Sequence, residues 1–73
     1  MAKSIFSSEH KILVSKLVQA RKELGLLQEE VAEKLGRTQS YVSKIESGQR
    51  RLDIVQLKEF AKIYKKKVEH FLK

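Results

Sequence analysis

The sequence contains no cysteine and no proline, and only three of its 73 residues are glycine. Without cysteine, the chain cannot form disulfides, thiolate nucleophiles or the usual zinc clusters, and it is compatible with a reducing cytoplasm. Helix-breaking residues are few and apolar residues recur at helical spacing, a pattern that favours helices joined by tight turns over short strands. The sequence therefore predicts an all-α fold.

Long apolar runs and low-complexity tracts are also missing. Residues 1–6 carry one lysine, and no apolar run long enough for a signal peptide or a membrane span follows them. We therefore expect a cytoplasmic protein with no membrane partner. No internal repeat or linker divides the chain, and a chain of this length supports one hydrophobic core. A single domain over residues 1–73 is expected.

Catalytic and metal-binding constellations are missing as well. The two histidines, His10 and His70, lie near opposite ends of the sequence, and neither has carboxylates at the spacing of metal ligands. An activated nucleophile needs a base within hydrogen-bond reach, and a chain this small cannot enclose a dry cleft. We therefore expect no enzymatic activity, no metal, no cofactor and no small-molecule ligand.

Acidic residues are scarce relative to basic ones. Sixteen Lys and Arg against nine Asp and Glu leave a net charge of +7, which favours polyanionic partners through release of their counterions. Nucleic acid is the first candidate and an anionic membrane surface the second. The membrane is less favoured because lysines lie on several faces of the predicted helices, whose apolar stripes are needed inside. Surplus charge can also serve solubility alone. The arrangement of the residues therefore has to decide among these explanations of the positive charge.

Apolar periodicity and end signals predict five helices. The first helix is predicted from Ser7 or Ser8 to Leu24 and the second from Gln28 to Leu35. The third is predicted from its cap at Thr38 to about Glu46, the fourth begins at Asp53, and a last turn after residues 65–67 contains Val68, Phe71 and Leu72. The expected inner stripe of the first helix is Leu13, Leu17, Ala20 and Leu24. The expected inner side of the fourth helix is Ile54, Leu57, Ala61 and Tyr64, with Phe60 and Ile63 beside them. Asp53 and Gln56 can form a capping box at the start of this helix.

The second and third helices have the pattern of a rigid bihelical corner. Ala32 is small enough for a neighbouring helix to cross it closely, Gly36 turns the chain, and Val42 and Ile45 can seal the crossing. Thr38 is a good N-cap for the third helix. The spacing predicts a helix-turn-helix over about residues 28–48.

The segments QEEVAEKLG at 28–36 and QSYVSKIESG at 39–48 resemble the helix-turn-helix of the Cro and phage-repressor family, the xenobiotic response element (XRE) family. The likeness covers roughly residues 17–61. It implies a compact five-helix bundle of the lambda-repressor-like type. It also implies that the third helix lies in the DNA major groove while the second crosses the backbone.

Gln39 stands at the tip of the third helix, where the resemblance implies contact with base edges. A glutamine amide can bond adenine at two positions in the major groove. Ser40, Ser43 and Lys44 share its exposed face and complete the expected base-reading set. The alternative for these four residues is ordinary solvated polar positions.

Phosphate contacts are expected around this face. The resemblance implies that Gln28 contacts a phosphate and braces Gln39, and helix N-termini favour anions. The other expected phosphate contacts are Arg37, Thr38, Tyr41, Ser47 with its neighbouring backbone N–H groups, Arg50 and Arg51. A solubilising loop is the alternative for the last two arginines. Tyr41 can instead pack on a helix stem with its hydroxyl in water.

Arg21 and Glu46 match family positions that form an ion pair between the first and third helices, and such a pair would fix the pose of the third helix. Two positions depart from the family. Leu27 stands where relatives usually cap the second helix with serine or threonine, and its side chain can accept no N–H bond. Lys65 stands where relatives often carry glycine after the fourth helix.

The function expected from this pattern is sequence-specific binding of double-stranded DNA by a transcriptional regulator of repressor or controller type. A homodimer is expected because a single module buries a modest area on DNA. The alternative is an antitoxin or adaptor module whose main partner is a protein. Val68, Phe71 and Leu72 form an apolar cluster that is a dimer seam, a site for a protein partner or plain core.

Overall fold

The computed structural model describes residues 8–72, which form five α-helices and no strand. The helices are α1 (Ser8–Glu23), α2 (Gln28–Leu35), α3 (Gln39–Glu46), α4 (Ile54–Tyr64) and α5 (Val68–Leu72). The predicted all-α fold with five helices is confirmed. Ser7, the other predicted start of the first helix, lies outside the described residues.

The core lies where all five helices meet. Its fully buried large side chains come from each helix: Leu17, Val31, Val42, Ile45, Phe60, Tyr64 and Phe71. α2 and α3 pack most closely on each other. Ala32, Val42 and Ile45 are all buried in the core, as the predicted bihelical corner requires.

Two residues of the predicted inner faces are exposed. α1 ends at Glu23, one residue earlier than predicted, because Gly25 takes a left-handed conformation and the backbone N–H of Leu26 bonds back to the carbonyl of Arg21 at 3.1 Å. Leu24 therefore lies in the turn and is 46% exposed, while Val14 is buried in its helix instead. Ile54 is also exposed, because it is the first residue of α4 and precedes the part of the helix that meets the core.

The short helix α5 closes the bundle against α1 and α4. Phe71 is buried in the core, Val68 packs against the core, and the side-chain ammonium of Lys16 donates to the carbonyl of His70 at 3.2 Å. Of the three residues considered for a dimer seam, only Leu72 is well exposed, at 60%. Phe71 therefore belongs to the core of the monomer.

Within residues 8–72, no helix combines the length and the apolar character that crossing a bilayer requires. The same part of the chain brings no three His, Cys, Asp or Glu side chains together as a metal site.

Candidate nucleic-acid interface

Helix α3 has one buried face and one exposed polar face. Tyr41, Val42 and Ile45 point into the core. All four expected base-reading residues are exposed: Gln39, Ser40, Ser43 and Lys44. Their side chains form no hydrogen bond or ion pair with any other part of the described chain. The fold thus presents four uncommitted polar side chains on one helix.

The start of α3 is fixed by Thr38. Its hydroxyl oxygen accepts the backbone N–H of Tyr41 at 3.2 Å, the bond expected of an N-cap. Gly36, with φ +70°, lets the chain turn between the helices, and the N–H of Arg37 closes the end of α2 on the carbonyl of Ala32 at 2.9 Å. Thr38 is exposed, and its O–H can still donate to a phosphate oxygen.

The other end of α3 is held by Glu46. Arg21 approaches this carboxylate with two nitrogens, Nε at 2.7 Å from Oε2 and Nη2 at 3.0 Å from Oε1. A third nitrogen, Nη1, donates to the carbonyl of Leu26 at 2.8 Å. The hydrogen bonds to Glu46 raise the pKa of Arg21 above its ordinary value. The Glu46 side chain is only 6% exposed, so this pair fixes α3 on α1 largely out of water.

Gln28 joins the same cluster. Its amide nitrogen donates to Oε1 of Glu46 at 2.9 Å and so connects the start of α2 to the end of α3. The expected bracing of Gln39 is not seen, because no hydrogen bond joins the two glutamines in the described chain. The structure therefore brings Arg21, Gln28 and Glu46 together into one network.

The ring of Tyr41 contacts two arginines. The guanidinium carbons of Arg37 and Arg50 are each 5.0 Å from the centroid of its ring, within the range of a cation–π contact. The ring of Phe60 stacks on it from α4, with centroids 6.4 Å apart and planes 15° apart. Arg37 and Arg50 are both exposed, whereas Tyr41 is only 8% exposed.

The hydroxyl of Tyr41 differs from both sequence expectations. It is buried without a hydrogen-bond partner among the described residues, so it reaches neither water nor a phosphate in this conformation. Burial is the main cause that raises the pKa of Tyr41. The ring, rather than the hydroxyl, faces the arginines that sequence reasoning placed at the phosphates. Aromatic and arginine residues in neighbouring turns are the only sequence signal for such a contact.

The residues after α3 are placed less simply than expected. Ser47 is exposed, and its hydroxyl donates to the carbonyl of Lys44 at 3.1 Å. The backbone N–H groups expected to be free for phosphate are bonded: Ser47 to Ser43 at 2.9 Å and Gly48 to Ile45 at 3.1 Å. They complete the last turn of α3. Arg51 is exposed in the following loop.

The partners that hold the site come partly from residues that sequence reasoning did not single out. The carbonyl of Leu26 is one, and the ring of Phe60 is another. A third is Glu30, whose carboxylate accepts the backbone N–H of Leu27 at 2.8 Å. Only the last has a local signal, because an acidic residue three positions after a helix N-cap can bond back to it.

Comparison with known proteins agrees with this geometry. A family model described as "Helix-turn-helix" matches residues 17–71. A solved structure described as an XRE-family like protein from Pseudomonas syringae pv. tomato str. DC3000 superposes with a TM-score of 0.83 at 35% sequence identity. The match covers 89% of this chain and 79% of that one. No curated protein matches the chain significantly. The chain belongs to the XRE-type helix-turn-helix family of DNA-binding regulators.

Proposed function

We propose that this chain binds double-stranded DNA sequence-specifically, with α3 in the major groove, and regulates transcription as a repressor or controller in the bacterial cytoplasm or nucleoid. The observation that carries the proposal is the exposed face of α3. The side chains of Gln39, Ser40, Ser43 and Lys44 form no hydrogen bond or ion pair within residues 8–72, while both ends of the helix are fixed by Thr38 and by Glu46. A rigid helix with uncommitted polar side chains suits direct readout of base edges.

Phosphate contacts on both sides of α3 complete the proposed interface. Arg37 and Thr38 precede the helix, and Ser47, Arg50 and Arg51 follow it; all five are exposed. Gln28 lies at the start of α2, where the helix dipole favours an anion. Tyr41 contributes through the arginines on its ring. These groups position the domain on the backbone without reading sequence.

We propose further that two copies bind together to a palindromic or repeated site. Half-sites one helical turn apart, about 34–36 Å, multiply the discrimination of a module that alone buries about 600–1,000 Å². The chain then acts by binding alone, without catalysis. The mass of the complex in solution, measured with and without its duplex, tests this stoichiometry.

The second candidate function is an antitoxin or adaptor whose main partner is a protein. Three exposed apolar residues favour it: Ile54 and Val55 at the start of α4, and Leu72 at the end of α5. Light scattering at low micromolar concentration distinguishes the candidates. A chain that binds its selected duplex tightly, as a monomer or as a dimer, favours DNA as the main partner. A chain that does not distinguish duplex sequences favours a protein partner.

The experiment that tests the main proposal is selection of bound fragments from random duplex, followed by binding titrations at several salt concentrations. We expect a defined motif. Gln39→Ala should relax its base preference, whereas Arg50→Ala should weaken binding to all duplexes and reduce the salt slope by about one. Gln19→Ala and Lys62→Ala are matched controls, because both residues are exposed on other helices. Equal losses on all sequences for Gln39→Ala would remove its base-reading role.

A further inference from the structure

The contact of two arginines with one buried ring is not explained by the fold alone. Arg37 precedes α3 and Arg50 follows it, yet both guanidinium groups lie 5.0 Å from the ring centroid of Tyr41. Neither arginine forms an ion pair with a carboxylate in residues 8–72. Two like charges therefore share one site while their hydrogen-bonding groups remain free.

The ring that holds them is itself fixed. Tyr41 is held on its backbone by the cap bond to Thr38 and on its ring by Phe60 of α4. The hydroxyl makes no hydrogen bond, so the contribution of this residue comes from its ring. An aromatic ring attracts a cation through its π-electrons and needs no hydrogen bond from the guanidinium.

From this arrangement we propose that Tyr41 is a positioning residue, which holds Arg37 and Arg50 as one preformed pair for neighbouring phosphates of one strand beside α3. The inference rests on the proposed function, since the phosphates are those of the bound duplex. A guanidinium that meets the ring keeps its N–H donors for phosphate oxygens, which it can bind with two parallel bonds. The two guanidinium carbons are separated by at most twice their distance to the ring centroid. That limit is shorter than the width of the major groove, about 12 Å, so the pair can reach neighbouring phosphates of one strand but not phosphates on both sides of the groove.

Two arginines held in place by the ring should bind the duplex more tightly than two arginines that move independently. A free arginine side chain loses rotamer freedom when it binds a phosphate, and one that is already held loses less. The attraction of an exposed cation to a ring corresponds to about two- to fivefold in an equilibrium constant. Each arginine should therefore contribute about two- to fivefold more affinity when Tyr41 holds it.

The test compares three backgrounds: the wild-type chain, Tyr41→Phe and Tyr41→Leu. Phenylalanine keeps the ring and removes only an oxygen without a partner, whereas leucine keeps an apolar side chain without the π-face. In each background, the loss of duplex affinity caused by Arg37→Gln and by Arg50→Gln is measured at fixed salt. Temperatures are kept well below each melting midpoint, so that all variants are folded.

The expected result is coupling between ring and arginines. The loss caused by either arginine substitution should be the same in the wild-type and Tyr41→Phe backgrounds, and about two- to fivefold smaller in the Tyr41→Leu background. Lys44→Gln is the matched control: Lys44 is a cation on the same helix with no ring contact, so its loss should not depend on position 41. Equal losses for the arginine substitutions in all three backgrounds would overturn the inference.

A second measurement needs no DNA. In proton NMR spectra, the δ-methylene signals of Arg37 and Arg50 should be displaced by the ring current in the wild-type chain and in Tyr41→Phe. They should return to ordinary arginine positions in Tyr41→Leu. Undisplaced signals in the wild-type chain would contradict the positioning role. The proposed function fails by a different result, namely a wild-type chain that does not distinguish its selected duplex from other duplexes.

Discussion

The N-terminal ends of helices α2 and α4 are capped by different hydrogen bonds, although both helices pack on the same core. The start of α4 is capped by its own residues. Asp53 accepts the N–H of Gln56 at 2.7 Å, and the Gln56 side chain accepts the N–H of Asp53 at 2.9 Å. The start of α2 follows Leu27, whose side chain accepts no bond. Glu30 accepts the N–H of Leu27 at 2.8 Å, and Gln28 donates to Glu46 of another helix. The start of α4 is therefore capped in both directions by its own residues, whereas the start of α2 has one local bond and one tertiary contact.

The difference between the two helix starts agrees with the proposed function. The start of α2 faces the proposed DNA interface, where a side-chain acceptor would compete with phosphate for the free N–H groups of the first turn. A helix start tied to Glu46 also moves together with α3, which keeps the two helices of the corner in one geometry.

The largest expected effect comes from breaking the tertiary anchor of α2. Glu46→Ala removes the acceptor of both Arg21 and Gln28 and leaves a largely buried guanidinium without its partner. We expect a loss of about 3 kcal/mol in the free energy of unfolding, measured by urea denaturation, and weaker DNA binding. Glu29→Ala, at an exposed position of α2, is the control and should change little. An unchanged melting temperature together with unchanged DNA binding would contradict the anchoring role.

The local cap of α4 should be worth less. Asp53→Ala removes one bond of the capping box and exposes the N–H of Gln56. The expected loss is about 1 kcal/mol, again from urea denaturation. Asp53→Asn is the matched control, because asparagine caps a helix about as well as aspartate. If the alanine and asparagine variants unfold at the same urea concentration, the cap does not stabilise α4.

The far ends of the same helices reverse the comparison. α2 ends with Gly36 in the left-handed region, where glycine has no steric penalty, whereas α4 ends with Lys65 at φ 58° and ψ 41°. The N–H of Lys66 bonds to the carbonyl of Ala61 at 2.9 Å, so Lys65 takes the conformation that Gly36 takes. Helix α4 thus has the more complete N-terminal cap but the less favourable backbone conformation at its C-terminal end.

Lys65→Gly should remove the backbone strain at the C-terminal end of α4. Relief of the left-handed strain outweighs the extra freedom of glycine in the unfolded chain, and we expect a gain of about 0.5 to 1 kcal/mol. Thermal unfolding measures it. Lys65→Ala removes the same charge but keeps a Cβ, so it should bring no gain. Equal stabilities of the glycine and alanine variants would show that charge, rather than backbone strain, is responsible.

Features encoded by neighbouring residues were predictable from the sequence. The helix ranges, the cap at Thr38, the turn at Gly36 and the capping box at Asp53 all depend on residues within one turn of each other. The resemblance to a family also placed Arg21 and Glu46 at paired positions, and the structure brings them together.

Features that depend on where distant segments meet were not predictable. Tyr41 was expected at a phosphate, but Phe60 of α4 and the two arginines cover its ring. Leu24 fits the periodicity of α1, yet the turn at Gly25 removes it from the core. The amide of Gln28 is turned to Glu46, a choice that sequence spacing does not specify. Periodicity gives the face of a helix, and only the packed chain gives its neighbours.

A further expected effect, no larger than that of Lys65→Gly, tests whether the start of α2 lacks a side-chain acceptor. Leu27 is 60% exposed, so its side chain contributes little to the core. Leu27→Ser supplies an acceptor for an N–H of the first turn, and we expect a gain of roughly 0.5 to 1 kcal/mol in thermal unfolding. Leu27→Ala is the control that removes the leucine without adding a cap. Serine no more stable than alanine would mean that the bond from Leu27 to Glu30 already satisfies this helix start.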